Sequence, residues 1–296
     1  MLRLPFTTTA MRTYSASTIV LKRIDLGEKD RILTLFTREH GKLSAVAKGC
    51  RRPGSKLGGA SEPFTYSRMF LSTGRDLDVL TQAEIKESFP NVKSAVLSVA
   101  HGVYLLELVN SFIDQRQPNP DIFDTLLSAM YVLESGTDPE VTARYFEIQL
   151  LSILGYEPHV EACLRCGRQI GRSALRQAQD APSAQRDPKE KVSFSPALGG
   201  IICAECGNPP SDAIPVPGAA ASYVTALRRV EPHKVKELTI PKGARRDLAR
   251  MLKWHIRYRL EHDLKSVDFI DAISGLEQAS GPDANIPQNE PPPRST

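Results

Sequence analysis

Long apolar runs are missing from this sequence. No stretch of its 296 residues approaches the roughly 20 continuous apolar residues of a membrane span. The first ten residues, MLRLPFTTTA, are too short and too polar for a secretory signal, so residues 1–11 are expected to be a disordered leader. No membrane partner and a cytoplasmic location follow. Aromatic residues are scarce at 6%, and few fall in the basic stretches, so any affinity for nucleic acid would be mostly electrostatic. Signatures of catalysis are also absent. There is no GxxxxGK[ST] loop, no GxGxxG after a strand, no HExxH and no GxSxG. The chain is therefore read as non-enzymatic. It has no internal repeats.

What is present divides into two halves. Residues 14–86 alternate in the manner of short strands, at 17–26, 31–37, 42–49, 64–72 and 77–87, with Gly27 and Gly41 placed for turns. In the fourth, Phe64, Tyr66, Arg68 and Phe70 would share one face. Five strands in about 75 residues suit a small barrel over 12–88, of the OB type, although an SH3-like barrel fits the pattern nearly as well. From Asn91 the apolar period becomes helical, and helices are expected at 98–113, 122–135 (capped by Asp121), 138–155 (capped by Asp138), 220–230 and 244–264. The fold class is thus α+β and multidomain. The barrel precedes a helical domain of residues 91–158 and 208–270. A flexible polar insertion (171–191) and a disordered tail (275–296) complete the expectation.

The formal net charge is only +4, but its distribution is uneven. Between Tyr14 and Ala60, ten Lys and Arg residues face four acids, an excess of six. Such an excess favours polyanions, because neutralised phosphates release counterions. From charge alone a solubilising face fits equally well; Lys22, Arg23, Lys29, Arg31, Lys42, Lys48, Arg51, Arg52 and Lys56 are the candidate cations for a polyanion, which the family resemblance given below makes DNA. Composition alone does not decide whether the loop KGCRRPGSKLGG (48–59) is a linker or a ligand loop; with that resemblance, Arg51, Arg52 and Lys56 would lie on phosphates, mobile until bound, while its glycines follow an irregular backbone. A second, weaker basic surface is expected on the last helix, from Arg246, Arg250, Lys253, Arg257 and Lys265. A solvated helix face accounts for that spacing at least as well.

Four of the five cysteines form two C-x2-C knuckles, Cys163/Cys166 and Cys203/Cys206, each followed by a glycine. Two such turns complete a tetrahedron of thiolates around zinc, so a closed, structural Zn2+ site is expected in the segment 159–207. An all-thiolate site has no position for reactive water. Cys50 is read as a plain thiol, His159 as an exposed turn residue, and His255 and His262 as surface histidines.

The residues IVLKRIDLGEKDRILTLFTREHGKLSAVAKGCRRPGSKLGGASEPF (19–64), LLSILGYEPHVEACLRCG (150–167) and FSPALGGIICAEC (194–206) resemble the RecO family of recombination mediators over about 12–265. The resemblance implies an accessory protein of homologous-recombination repair that binds single- and double-stranded DNA mainly through its barrel. It implies annealing of complementary strands covered by single-strand-binding protein, and loading of RecA together with RecR. A nucleoid-associated place in the cytoplasm follows from that role. The alternative reading is a zinc-dependent nucleic-acid-processing enzyme. A third is a zinc-stabilised scaffold whose basic face binds acidic proteins.

Overall fold

Alternating small and branched residues close the first 76 described residues into a barrel. The computed structural model describes residues 12–170 and 191–279; the expected leader (1–11), most of the insertion (171–190) and the tail from 280 onward lie outside the described residues. Strands β1 (Thr13–Leu26), β2 (Asp30–Thr37), β3 (Gly41–Ala47), β4 (Tyr66–Ser72) and β5 (Asp78–Glu87) are joined in the order β1-β2-β3-β5-β4 and back to β1. Every pairing is antiparallel except β3 with β5, which runs parallel at Ala45↔Asp78 and Val46↔Val79. A three-strand meander whose last two strands return in swapped order is the Greek key of an OB-type barrel.

The period of two sorts each strand. Leu33, Leu35, Leu43, Ala45, Met69, Leu71 and Leu80 point inward and form one buried cluster. Cys50 caps that cluster from the loop after β3 and is buried with it. Gly41 turns the β2–β3 hairpin at φ +70°, and the Gln117 backbone lies where its Cβ would be, so no side chain fits. The fourth strand begins at Tyr66 rather than at residue 64. Phe64 takes a left-handed conformation (φ 70°) and turns its ring inward, so it does not share a face with Tyr66, Arg68 and Phe70.

The helices are α1 (Pro90–Ser94), α2 (Val96–Phe112), α3 (Pro120–Glu134), α4 (Pro139–Ile153), α5 (Gly218–Arg229), α6 (Lys242–Leu260) and α7 (Lys265–Ala279). Asp138 caps α4, accepting from the Glu140 and Val141 amides. Asn119, not Asp121, caps α3: its Oδ1 accepts from Ile122 N at 3.0 Å, and Asp121 sits in the first turn, where a negative charge favours the helix dipole. Glu261 (φ 60°) ends α6. Glu107 of α2 then accepts the amides of Lys265 and Ser266 at 3.1 and 2.8 Å, which starts α7 and carries helix past the expected tail boundary at 275, to Ala279. Between α4 and α5 lies a small antiparallel sheet the sequence did not announce: β6 (Lys191–Ser195), β7 (Gly200–Cys203) and β8 (Ile214–Pro217), in the order β7-β6-β8.

The cores do not follow the division into barrel and helices. Ile19, Leu21, Phe36 and Phe64 of the barrel region belong to the helical cluster. Phe123 of α3 packs 5.7 Å from Phe36 and 6.2 Å from Tyr66, ring centre to ring centre. Arg38 also donates twice to Asp124 of α3 (2.9 and 2.8 Å), and elsewhere Arg116, after α2, reaches the fully buried Asp78 of β5 at 3.0 Å. The barrel thus keeps an interior cluster of its own and shares its outer Phe36 side with the helices. Without α2 and α3 the barrel would expose Phe36 and Phe64. His255 is also corrected from a surface residue to a fully buried one that donates Nε2–H to Tyr156 O at 2.7 Å. Among the described residues no helix is long and apolar enough to cross a membrane.

Candidate nucleic-acid interface and metal centre

Strand register decides what the basic residues of the barrel can do. It sets Asp25 opposite Arg31, and Arg31 opposite Ala47, at the end of the barrel where the β1–β2 turn and the loop after β3 meet. There Arg31 donates to Asp25 at 3.1 Å, to Glu62 at 2.9 Å and to Ser61 Oγ at 2.9 Å. Burial alone would lower the Arg31 pKa, but Glu62 and Asp25 hold it above its ordinary value. Arg23 pairs with Glu62, and Arg51 with Asp25 at 3.4 Å and Gly27 O at 3.0 Å. Three of the nine candidate cations thus plug the barrel mouth as an ion-pair network.

The loop 48–59 is a run of hydrogen-bonded turns. Gly49 N donates to Asp30 Oδ1 at 2.7 Å and Arg51 N to Lys29 O at 3.1 Å, tying it to the β1–β2 turn. Inside it, Arg52 N donates to Gly49 O, Ser55 N to Arg52 O and Gly58 N to Ser55 O, at 3.0–3.2 Å. Cys50 anchors it in the barrel core. Among the described residues, Lys22, Lys29, Lys48, Arg52 and Lys56 are exposed and make no ion pair or side-chain hydrogen bond. Four of these five lie at the barrel end formed by the two joined loops. The fifth, Lys22, stands further along β1, opposite Thr34.

Lys42 stands apart from all of them. Its Nζ donates to Asn110 O of α2 at 2.6 Å, and burial lowers its pKa, so its charge is directed at the helical domain. Three of the five cations expected to form the second basic surface are engaged, whereas among the described residues Arg246 and Lys265 are exposed and make no ion pair or side-chain hydrogen bond. Arg250 lies 3.6 Å from Asp247 and donates to Pro215 O, Lys253 lies 3.3 Å from Asp271, and Arg257 lies 3.1 Å from Asp263. For those three a solvated, locally neutralised face accounts for the spacing. The sequence does not reveal these acids as partners because Asp271 and Asp263 belong to α7 and the turn before it.

The cysteines converge. Their four Sγ atoms all lie within 4.8 Å of one another, with Cys163–Cys206 and Cys166–Cys203 at 3.7 Å and Cys203–Cys206 at 3.6 Å. Four thiolates at about 2.3 Å from a zinc ion have tetrahedral edges of about 3.8 Å. The cluster has the size of that tetrahedron, and the four thiols could hold a metal ion. β7 delivers Cys203 and a single 3-10 turn delivers Cys206. Gly167 (φ 72°) and Gly207 (φ 55°) take the left-handed turns that follow each knuckle. Burial would raise the Cys163 thiol, but the amides of Cys203, Cys166 and Arg165 outweigh it and hold the group down to about 6. One of these donors, Cys203 N, lies 3.3 Å from Cys163 Sγ. His159 is exposed and outside the cluster; its backbone bridges to Gly200, donating to Gly199 O at 2.8 Å and accepting from Ile201 N at 3.0 Å.

Comparison with known proteins gives the two halves one source. The family described as Recombination protein O N terminal matches residues 11–89, and that described as Recombination protein O C terminal matches 94–268. Similar sequences include the DNA repair protein RecO of Pelotomaculum thermopropionicum, 33% identical over 271 residues that cover 92% of this chain and 98% of that one. The DNA repair protein RecO of Heliobacterium modesticaldum is 32% identical over 280 residues (95% and 97%). That of Desulforamulus reducens is 31% identical over 263 residues (89% and 96%).

Proposed function

Because the chain belongs to the RecO family of DNA repair proteins, we propose that it is a non-enzymatic mediator of recombinational repair that binds single- and double-stranded DNA and anneals complementary strands. The observation that carries this reading is the group of unpaired cations at one end of the barrel, Lys29, Lys48, Arg52 and Lys56, beside a mouth whose other charges are neutralised. Positive groups carried on hydrogen-bonded loops can contact phosphates and read no sequence. RecR, RecA loading and single-strand-binding protein enter as partners through the family, and the cytoplasm, in association with the nucleoid, is the corresponding location. In the same reading the barrel (12–88) is the DNA-binding domain. The segment 159–207 is a structural zinc module set into the helical domain (91–158 and 208–270). Cys163, Cys166, Cys203 and Cys206 would hold the Zn2+, whose chemistry here is ligation alone, because four thiolates fill a tetrahedral shell.

The test is incubation of the purified protein with labelled complementary strands, bare and covered by single-strand-binding protein. Faster annealing with both strands chemically intact is expected. Cleavage or modification of the strands would replace the mediator by a zinc-dependent nucleic-acid-processing enzyme, and absence of binding would remove DNA as the partner.

A further inference from the structure

Among the described residues, the free outer face of β1–β3 carries no aromatic ring on which a base could stack. Ile24, Ile32 and Val46 lie side by side across the three strands, in the register Ile24↔Ile32 and Ile32↔Val46. Leu26 extends the strip to the hairpin end, and Ile24 and Leu26 are 52% and 44% exposed. β2 does send one ring to this side, that of Phe36, but the helical domain buries it against Phe123. The other aromatics of the barrel are used elsewhere. Tyr14 donates to Asp78, Phe64 and Phe89 are buried, and Tyr66 packs on Phe123. Phe70 is 43% exposed, but it projects from β4 between Ser15 and Gln82, on another wall of the barrel.

The strip is bordered by unpaired cations. Lys22 shares its face, Lys29 lies in the turn beyond Leu26, and Lys48 follows Val46 and Ala47. The positive rim can take phosphates and the branched aliphatic floor can pack on deoxyribose, while the strip holds no ring on which a base could stack. Proteins that hold single strands through stacking gain roughly 5- to 150-fold per base, and each stacked base must be released before it can pair.

We propose that the β1–β3 face holds single-stranded DNA by its sugar–phosphate backbone alone, leaving the bases unstacked from protein and free to pair with a second strand. This rests on the DNA-binding reading above and adds to it how the strand lies. Binding is then indifferent to the bases, and annealing needs no step in which protein rings let go of them.

The experiment compares, by fluorescence anisotropy with the full-length protein, an ordinary oligothymidylate with a strand of equal length built of abasic residues. Equal affinity within about twofold and equal salt slopes are expected. A loss of tenfold or more on the abasic strand would overturn the proposal, since stacked bases would account for it. Two variants sharpen the result. Ile24→Trp, which puts a ring on an exposed position of the strip, should raise affinity for the thymidylate over the abasic strand and slow annealing; unchanged annealing despite that gain counts against the proposal. Phe70→Ala should leave both affinities unchanged, and a tenfold loss would place the strand on the β4 wall instead. Failure of both strands to bind would sink the DNA-binding reading and this proposal with it, whereas base-dependent binding sinks only the proposal.

Discussion

The ring of Phe64 rests on the bare backbone of Gly102: a Cβ at that glycine would lie 2.9 Å from Phe64 Cε1. Phe64 reaches α2 only because its own backbone is left-handed, at φ 70°, in the last residues before β4. The contact joins barrel to helical domain through one residue without a side chain and one in an uncommon conformation.

Gly102→Ala is therefore expected to destabilise the protein, by about 1–3 kcal/mol of overpacking, although alanine favours the helix by about 1 kcal/mol. Phe64→Ala is expected to cost about 3–5 kcal/mol. In urea titrations the double variant should be less destabilised than the sum of the two, because the clash needs both partners. Strict additivity would mean that the ring moves aside freely.

The cations of the barrel should separate into two classes. Replacing Lys48, Arg52 and Lys56 together is expected to weaken binding to every DNA sequence alike. For single strands the salt slope should fall by about 2, at roughly 0.7 for each phosphate no longer neutralised. Arg31→Ala should act differently. It leaves Asp25 and Glu62 short of a partner, so it should lower the melting temperature and change the salt slope little. Salt-independent affinity in the parent protein would defeat the first expectation, and an Arg31→Ala variant with unchanged melting temperature the second.

Charge reversal at Arg250 and Arg257 should leave DNA affinity unchanged. Asp247 and Asp263 already neutralise both groups on the surface, where such pairs contribute about 0–1 kcal/mol. A marked fall in affinity would return α6 to the DNA-binding surface.

How much of this is legible in the sequence depends on distance along the chain. Gly41, the Asp138 cap and the two knuckles are local patterns, and the structure places them as read. Partners across the fold are not legible. Ten cations can be counted between Tyr14 and Ala60, but Glu62, which neutralises two of them, lies 31 residues from Arg31 and outside that window. Lys42 looks like its neighbours in the sequence. It is set apart only because β3 runs beside the segment after α2, where Arg116 N donates to Lys42 O at 2.8 Å. The sheet β6–β8 escapes notice because strands of four and five residues carry too few alternations to register. Asn119 and Asp121 are both residue types that cap, and only geometry separates them.

The purified protein is expected to contain about one zinc per chain. Cys166→Ser should lower the melting temperature by roughly 10 °C or more, since loss of several kcal/mol of ligation shifts a chain of this size by about 2–4 °C each. The damage should centre on β6–β8 and the helices packed on them, α5 and α6. Elemental analysis of freshly purified, reduced, well-folded protein that found no zinc would remove the metal and leave the DNA-binding reading intact.

Acid should act through His255 as well as through the thiolates. The ring is fully buried, edge-on to Phe194, with Nε2–H on Tyr156 O and, among the described residues, no partner at Nδ1. A second proton would have to sit on Nδ1 in that apolar contact, so burial pushes the pKa down to about 4. In the unfolded chain the group titrates near 6.5. The unfolded state therefore binds the proton first as pH falls, and stability present above about 6.5 is lost progressively down to about 4, by about 3 kcal/mol in all. The zinc thiolates contribute acid sensitivity of their own, so the histidine is isolated by difference. His255→Gln can keep a donor toward Tyr156 O and has no proton to gain. It is expected to be less stable than the parent at pH 7.5 and to lose less stability between pH 7 and pH 5. Parallel melting curves for the two proteins across that range would show that His255 is not the titrating group.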